Sequence, residues 1–311
     1  MLLDIEYLLL LQRFRIAIND ALAPILEPLS LFAVTYLILV PVFIYWTIDK
    51  KKGLYVLATY SLIGFLNSII KLSVCAYRPW IRDARVVPAG DAIRTATGYS
   101  FPSGHTAIAG SIYGGLTKKF NEHKLLVFIC MFLLLVTGFT RNYLGVHTPQ
   151  DVLFALALTW LSLLIIQKLF DYLELNSEKE NIILLFIVLF AIAGLVYITF
   201  KPYPLDYVNG ELLVSPYKMM NDGYGDTARL IAFCLGRFIE RKWIKFKPTG
   251  LNTKGIIVSL IGVIILGVMI TYLGAPLDAA LGTHWGHFTR EFIFVSFMTF
   301  IYPFVIKVVC K

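Results

Sequence analysis

Long apolar runs are the feature that most constrains the fold of this chain. Nine of them follow one another, each close to the roughly 20 residues that a helix needs to cross the hydrocarbon core of a bilayer. They occupy residues 29–48, 54–76, 103–118, 124–142, 149–168, 181–200, 227–244, 255–273 and 290–309. Hydrophobic residues make up 58% of the chain and charged residues only 15%, whereas soluble domains carry about 25% charged residues. The sequence therefore excludes a soluble fold and predicts an all-α, polytopic membrane bundle with about nine spans.

Basic residues are divided unequally between the alternate loops that join these runs. The set of loops that begins with Lys50–Lys52 holds fifteen Lys and Arg, Lys311 included, and the opposite set holds ten. Cytoplasmic loops carry the basic excess in membrane proteins, so the first set is predicted to be cytoplasmic. The N-terminus and four loops are then expected on the extracytoplasmic or lumenal side: 77–102, 141–148, 201–226 and 274–289. This distribution accounts for the net charge of +8 without a nucleic-acid partner.

Three parts of the chain differ from ordinary lipid-facing helices. The third run is rich in small residues with GxxxG spacing, which is typical of closely packed membrane helices. The seventh run contains Arg229 and Arg237, and arginine inside a membrane is usually paired. Glu240 follows Arg237 by three residues, which favours a structural ion pair over a role with substrate. Residues 1–22 mix leucine with charged residues and predict an amphipathic helix at the membrane surface.

Residues able to do chemistry concentrate in three segments on the predicted outer side. In the first segment, Lys71 precedes Arg78 by seven residues, or two helical turns. Both cations are therefore expected on one side of a single helix, about 10 Å apart, with Pro79 ending that helix. The alternative is that the two cations only reach toward lipid headgroups.

The second segment places Ser103, Gly104 and His105 at the start of a helix. Free N–H groups at a helix N-terminus bind anions, and glycine lets a ligand approach the backbone closely. The alternative is that Pro102 and Ser103 only cap the helix.

The third segment contains Arg141, His147 and Asp151. Thr148 and Pro149 predict the start of a helix, in which Asp151 would complete a capping box. Asp151 also lies four residues after His147 and could hydrogen-bond its imidazole and stabilise a positive charge there. The pattern alone leaves these two roles of Asp151 open.

The three segments share one predicted side of the membrane. Three cations, a helix N-terminus and two histidines, one of them with a carboxylate, describe a site that binds a dianionic phosphate and transfers it. Mg²⁺ prefers carboxylate ligands, and Asp151 is the only acid within these motifs. Neither a metal nor another cofactor is therefore expected.

At these residues the chain resembles the type 2 phosphatidic acid phosphatases (PAP2), a family of integral membrane phosphatases related to vanadium haloperoxidases. The three-part signature of the family is matched by Lys71-x6-Arg78-Pro79, Pro102-Ser103-Gly104-His105 and Arg141-x5-His147-x3-Asp151. The chain departs from the signature at Thr140, where the family usually has serine.

The resemblance covers roughly residues 50–170 and implies three regions. Residues 1–28 would form an N-terminal interfacial helix and its connection, residues 29–200 a PAP2-like catalytic helical bundle, and residues 201–311 a C-terminal transmembrane extension. The last 110 or so residues lie outside the resemblance itself.

The resemblance also implies a role for each matched residue. His147 would be the nucleophile that attacks phosphorus, and Asp151 would stabilise its charged ring. His105 would protonate the leaving alkoxide and then activate water. The phosphate oxygens would be held by residues from all three segments: Lys71, Arg78, Ser103, Gly104 and Arg141.

The activity expected from these roles is that of a metal-independent phosphatase in the bilayer, acting through a phosphohistidine. Its substrate would be a lipid phosphate, such as phosphatidate, phosphatidylglycerophosphate, a prenyl diphosphate or a sphingoid phosphate. One alternative is a phosphatase of soluble esters such as sugar phosphates, since nine spans with an outward N-terminus resemble the glucose-6-phosphatase branch. The other is a lipid-phosphate transporter or an inactive binding protein, against which the presence of both His105 and His147 argues, because binding alone needs only cations.

Overall fold

The computed structural model describes residues 3–96, 98–208 and 210–310, most of which are helical. Lys311, one of the basic residues counted above, lies outside the described residues. Within the described ranges the α-helices are α1 (Leu3–Ala17), α2 (Ala23–Thr35), α3 (Leu39–Thr47), α4 (Lys50–Val74), α5 (Pro79–Arg82), α6 (Ala92–Thr95), α7 (Gly104–Lys119), α8 (Lys124–Tyr143), α9 (Pro149–Leu175), α10 (Glu180–Phe200), α11 (Pro216–Ile239), α12 (Thr253–Tyr272), α13 (Gly274–Leu281), α14 (Thr283–Ser296) and α15 (Tyr302–Val309).

Short elements of other kinds join or extend these helices. A 3₁₀ turn at Ser177–Lys179 precedes α10, and π-helical turns at Glu240–Ile244 and Phe297–Ile301 follow α11 and α14. The strands β1 (Tyr207–Val208) and β2 (Glu211–Leu212) pair antiparallel before α11. The fold is therefore all-α, as the sequence predicts.

Among the described residues, six helical segments are long and apolar enough to cross a membrane: Lys50–Arg82, Lys124–Tyr143, Pro149–Leu175, Ser177–Phe200, Thr253–Tyr272 and Thr283–Val309. The helices α2 and α3 add a seventh if this pair, bent by 42°, counts as one span. The prediction of an integral, polytopic helical protein is confirmed, and nine is an approximate number of spans. The third and seventh predicted runs do form helices, α7 and α11, but α7 has only 16 residues. Several charged side chains make α11 too polar to face lipid along its whole length.

The helix α4 is the centre of the bundle and packs against α3, α7, α9 and α11. It ends at Val74, because Cys75 adopts a left-handed conformation with φ of 52°. The prediction that Lys71 and Arg78 lie on one continuous helix is therefore wrong. Arg78 is extended, and Pro79 begins α5 instead of ending α4. Proline suits the first turn of a helix, where its missing N–H would have no intrahelical partner.

Five of the helix ends meet at one end of the bundle. The helices α4 and α8 end there, and α7, α9 and α11 begin there. Each of the three starting helices is capped by a hydroxyl side chain, from Ser103, Thr148 and Ser215 respectively, that accepts the N–H three residues further on. Such caps satisfy backbone donors that have no intrahelical partner. The three motif segments consequently lie together in space.

The helix α1 lies against the loop that follows α5. Asp4 pairs with Arg82 at 2.7 Å, and Glu6 pairs with Arg85 at 3.1 Å. These charges hold α1 near the same end of the bundle as the motif segments. Its predicted location at the membrane surface stays a prediction.

Arg237 in α11 is paired, as predicted. Its Nη1 lies 3.5 Å from Glu240 Oε2, and its Nε donates to Glu180 Oε1 at 2.6 Å. Lys50 Nζ also lies 2.5 Å from the second oxygen of Glu240. A buried carboxylate left unpaired would cost several kcal/mol, so these partners are needed. The cluster joins α11 to α4 and α10 at the end of the bundle away from the motifs.

Candidate active site

A cavity of about 180 Å³ lies where the motif segments meet. One wall comes from α4, α7 and the loop before α9, and the opposite wall comes from α11 and α14. Five of the predicted site residues line it: Lys71, Arg78, Gly104, His105 and His147. The other three do not line the cavity and are buried: Ser103, Arg141 and Asp151.

His147 is held by a hydrogen bond at each ring nitrogen. Arg78 Nη1 lies 2.9 Å from Nε2, and Asp151 Oδ2 lies 3.3 Å from Nδ1. Because a guanidinium can only donate, Nε2 must accept and carry the lone pair, which assigns the proton to Nδ1. His147 lies in the loop between α8 and α9, where burial and the Arg78 charge lower its pKa well below the usual value, against the opposing effect of Asp151. The ring is therefore neutral, and its lone pair is on Nε2.

Asp151 fulfils both of the roles that the sequence left open. Its Oδ2 accepts the Thr148 N–H at 2.8 Å, and Thr148 Oγ1 accepts the Asp151 N–H in return, which is a complete capping box. The same oxygen accepts the Nδ1 proton of His147. The helix cap thus fixes the carboxylate at the position from which it orients the imidazole.

Two cations of the first segment hold neighbouring loops together. Arg78 donates from Nε to the carbonyl of Gly98 at 3.1 Å and from Nη1 to that of Val146 at 2.8 Å. Lys71 Nζ donates to the carbonyl of Pro102 at 2.8 Å. Both side chains therefore lie across the loops that carry the other two segments, with their charge at the cavity.

Arg141 is fully buried beside the cavity and only partly satisfied. Its Nη1 donates to Ser30 Oγ at 3.1 Å, whereas Nε and Nη2 have no partner among the described residues. The guanidinium is close enough to Arg78 and His105 to act on both electrostatically. A buried donor without a partner is costly, and a charged one more so, so an anion in this region would stabilise Arg141.

In the second segment, Ser103 caps α7, whereas Gly104 and His105 face the cavity. Ser103 Oγ lies 2.9 Å from the hydroxyl of Thr106 and caps α7, so this side chain is engaged within the helix start. Gly104 is open, because a Cβ added there would meet only Asn67 Oδ1, at 3.6 Å. His105 Nε2 is buried and has no hydrogen-bond partner among the described residues. The backbone at Gly104 and the ring of His105 are thus the parts of this segment available to a ligand.

Two further residues next to the motif segments escaped sequence reasoning. Asn67 lines the cavity, is 4% exposed, and its Nδ2 has no partner in the described structure. Its spacing of four residues before Lys71 on the same helix is a signal that could have revealed it. Ser100 donates to Asp151 Oδ2 at 2.6 Å. The loop before α7 brings Ser100 to this carboxylate, and no sequence pattern indicates the course of that loop.

The wall from α11 and α14 contains charged groups that no sequence motif marks. Arg229 Nη1 pairs with Asp226 at 2.6 Å, and its Nη2 pairs with Glu291 at 2.9 Å. Ser68 of α4 donates to Asp226, which ties this wall to the catalytic side. His287 also lines the cavity, with Nδ1 directed to Asp278 at 3.1 Å. The C-terminal part of the chain is therefore a structural component of the site.

A larger cavity of about 950 Å³ lies between the other ends of α4, α9, α10 and α11. Its walls are mainly leucine, isoleucine and phenylalanine, and none of the motif residues reaches it. Size alone would favour this cavity as the site, but the histidines and cations of the three motif segments all lie in or beside the smaller one.

The fold and the smaller cavity together define a multi-pass helical membrane protein with a cationic, histidine-containing site at one end of its bundle. The sequence model of the PAP2 superfamily matches residues 52–175, and that of the PAP2 superfamily phosphatase, transmembrane extension, matches residues 225–309. The chain belongs to the PAP2 superfamily. At its one departure from the signature, the Thr140 hydroxyl donates to a carbonyl of its own helix at 2.7 Å, so the difference from serine does not reach the cavity.

Two curated proteins named lipid A 1-phosphatase are similar to part of the chain. The protein from Rhizobium etli is 30% identical over 114 residues, which is 36% of this chain and 48% of that protein. The protein from Rhizobium johnstonii is 29% identical over 114 residues, which is 36% of this chain and 46% of that protein. The match therefore spans about half the length of these relatives. No solved structure matches the chain significantly.

Proposed function

We propose that this protein is a membrane-embedded phosphatase that hydrolyses a lipid phosphate through a phosphohistidine at His147. The observation that carries the proposal is the arrangement of that ring, with its Nε2 lone pair toward the cation-lined cavity and its Nδ1 proton on Asp151. A nucleophile oriented by a base partner beside an anion site is the arrangement that group transfer requires.

The first step forms the bond between His147 Nε2 and phosphorus. Phosphate binding draws the Arg78 N–H from Nε2 to a phosphate oxygen, which frees the lone pair for attack. The bond from phosphorus to the alkoxide oxygen breaks, and His105, which is protonated at the start of this step, gives that oxygen a proton and becomes neutral. The phosphorylated ring keeps its Nδ1 proton and gains a positive charge, which the Asp151 carboxylate stabilises.

The second step returns the enzyme to its starting state. Neutral His105 takes a proton from water, and the resulting hydroxide attacks phosphorus as the bond to Nε2 breaks. Inorganic phosphate leaves, and His147 is again neutral. Lys71, Arg78 and the amide of Gly104 hold the equatorial oxygens through both steps, and Arg141 adds its charge from its buried position beside the cavity, while Ser103 acts through its cap on α7.

The lipid nature of the substrate is supported by where the cavity lies and by the names of the relatives. The cavity is at the ends of helices that cross the bilayer, so a phosphate headgroup can enter while its chain stays in the lipid. The curated relatives are named for a phosphatase of lipid A, which is itself an amphiphile.

Phosphate release from purified, detergent-solubilised protein tests this proposal. Phosphatidate, phosphatidylglycerophosphate, a prenyl diphosphate and a sphingoid phosphate are compared with a sugar phosphate, each with EDTA present. We expect at least one lipid phosphate to be hydrolysed with a kcat/KM at least ~10-fold above that of the sugar phosphate. The apolar chain of a lipid substrate stays in the bilayer beside the cavity and adds binding energy that a sugar phosphate lacks. Activity should survive EDTA, because three cations hold the phosphate, and vanadate should inhibit by mimicking five-coordinate phosphorus.

Three results of this assay would contradict the proposal. Loss of all activity in EDTA with recovery on adding Mg²⁺ would show that a metal performs the work assigned to the cations. Preferred hydrolysis of the sugar phosphate would favour a soluble substrate. Release of no phosphate from any compound, by protein that binds lipid phosphate, would indicate a transporter or a binding protein.

We further propose that the site faces the extracytoplasmic or lumenal side, on the basis of the unequal distribution of basic residues. Cysteines placed singly at Arg94 and Lys51 test this orientation with an impermeant thiol reagent in intact cells. Both side chains are highly exposed, at 79% and 81%, and lie at opposite ends of the bundle. We expect labelling at position 94 and none at position 51. Thr148, another position on the predicted outer side, is only 3% exposed and would not react on either side.

The controls for this experiment are set by the native thiols. Free cysteines at 75, 130, 234 and 310 must first be replaced. Permeabilised cells should label both new cysteines, which shows that each is reactive. Labelling at position 51 without labelling at position 94 would place the active site in the cytoplasm.

A further inference from the structure

The two walls of the active-site cavity offer opposite kinds of hydrogen-bonding groups. The catalytic wall presents donors, namely the cations and the unpartnered Nδ2 of Asn67. The opposite wall also contains Arg229 and Arg290, both of which pair with Glu291, but its α11 part presents two acceptors that no described residue engages. Asn221 Oδ1 is buried with no hydrogen-bond partner in the described structure, and the neighbouring Asp222 lines the cavity with no hydrogen bond or ion pair to any described residue.

These acceptors differ from the other acids of the same wall. Asp226 and Glu291 are both paired with Arg229, so their negative charges are already compensated within the protein. Asp222 is exposed and acts electrostatically on Lys71 and Arg78, which places it near the phosphate cations. Its carboxylate is available to a ligand.

The dianion of a phosphate monoester cannot be the partner of this pair. It has no proton to donate, so it cannot bond to a carboxylate or to an amide oxygen, and its charge is repelled by Asp222. Asp222 therefore weakens the binding of the phosphate group itself. Besides water, the groups that can satisfy Asn221 and Asp222 are donors on the alcohol part of the substrate.

The size of the cavity limits how far from phosphorus these donors can be. About 180 Å³ is small beside the roughly 300–1,000 Å³ of a pocket that encloses a drug-sized ligand. That space holds a phosphate and the few atoms next to it, and the rest of the substrate must remain outside. A donor bound by Asn221 and Asp222 is therefore within a few bonds of the phosphoester oxygen.

We propose that Asn221 and Asp222 form a subsite for a hydroxyl or ammonium group on the leaving alcohol. The inference rests on the proposed phosphatase function and narrows its substrate to lipid phosphates that carry such a donor beside the phosphoester. The C-terminal extension thereby selects the leaving alcohol of the substrate, while the motif residues bind the phosphate group and transfer it.

A pair of substrates that differ in one hydroxyl tests this subsite. The first is 1-oleoylglycerol 3-phosphate, which has a free hydroxyl on the carbon next to the phosphoester carbon, and the second is its 2-deoxy analogue. We expect the unmodified protein to prefer the hydroxyl substrate by about 10-fold or more in kcat/KM, because a site built to bond a hydroxyl discriminates against an analogue that lacks it.

Asp222→Asn is expected to change the two substrates in opposite directions. Turnover of the hydroxyl substrate should fall by about 10-fold, since the variant loses a hydrogen bond to a charged acceptor. Turnover of the deoxy substrate should rise about 2- to 5-fold, because a negative charge near the phosphate is removed. Asn221→Ala should lower the turnover of the hydroxyl substrate and leave that of the deoxy substrate unchanged. Glu211→Gln removes one exposed charge outside the cavity and should leave the preference unchanged.

The preference is a ratio, so partial loss of folded protein cancels from it. Equal loss on both substrates in Asp222→Asn would assign Asp222 a structural role and overturn the inference. Equal turnover of both substrates by the unmodified protein would also overturn it, while the proposed phosphatase function stands. Absence of phosphate release from either substrate and from the wider lipid panel would instead refute the proposed function itself.

Discussion

His147→Ala is expected to abolish turnover of every phosphoester, whereas His105→Ala is expected to separate substrates by their leaving group. A nucleophile is required whatever leaves, but a general acid matters most when the leaving group is poor. An aliphatic alcohol, as in a lipid phosphate, is a poor leaving group, and a nitrophenolate leaves without a proton. The structure supports this division, because Nε2 of His147 carries a lone pair and Nε2 of His105 is buried without a partner.

The two variants are compared on a lipid phosphate and on nitrophenyl phosphate. His105→Ala should lose lipid turnover by about 10²- to 10⁴-fold, the usual contribution of general acid–base catalysis. With nitrophenyl phosphate it should still transfer the phosphoryl group to His147 and then stall, because the base for the second step is missing. A single burst of nitrophenolate and an acid-labile phosphoprotein are the expected signals. His147→Ala should show neither signal.

The opposite pattern would reverse the assignment of the two histidines. A burst in His147→Ala with none in His105→Ala would make His105 the nucleophile. Lipid activity retained by both variants would place the reaction elsewhere in the protein. His284→Ala is a useful control, because His284 lies outside the cavity lining and its Nε2 is bound to the carbonyl of Tyr217 at 2.7 Å.

The sequence predicts the structure of the motif segments well where the information is local. The helix starts at Ser103 and Thr148 follow from hydroxyl and proline signals within four residues, and both caps are present in the structure. Apolar run length predicts the all-α membrane fold for the same reason. The spacing of Lys71 and Arg78 misleads, since a helical period says nothing about where the helix stops. Cys75 in a left-handed conformation ends it.

What the sequence could not predict depends on contacts between distant segments. Asp226 and Arg229 belong to the cavity only because α11 packs against α4, which brings Ser68 to Asp226 across 158 residues of chain. No motif marks that packing. Arg141 shows the same limit at the motif itself. The pattern marks it as a phosphate ligand, but only the fold shows that its guanidinium is fully buried and bound to Ser30 of α2.

Asp151→Asn is expected to slow turnover by about 10³- to 10⁴-fold, equally for lipid and nitrophenyl phosphates. Equal loss is expected because Asp151 acts through the nucleophile, which both substrates need. The amide can still accept the Thr148 N–H, but it has no charge with which to stabilise the phosphorylated ring. If its NH₂ turns toward His147, it also removes the proton from Nδ1 and places it on Nε2, where the lone pair is required. Rates with both substrates, measured alongside thermal stability in detergent, test this.

Because Asp151 also caps α9, a second variant must separate the cap from the chemistry. Thr148→Ala removes the hydroxyl that accepts the Asp151 N–H, yet leaves the carboxylate beside His147. It should cost about 1 kcal/mol of stability, as loss of an N-cap usually does, and keep activity within about 10-fold, since the His147–Asp151 pair persists. Comparable losses of activity in Thr148→Ala and Asp151→Asn would show that the carboxylate matters only as a cap. Loss confined to Asp151→Asn would show that the capping box serves to hold a negative charge beside the nucleophile. This role explains why Asp151 Oδ2 accepts both the Thr148 N–H and the Nδ1 proton of His147.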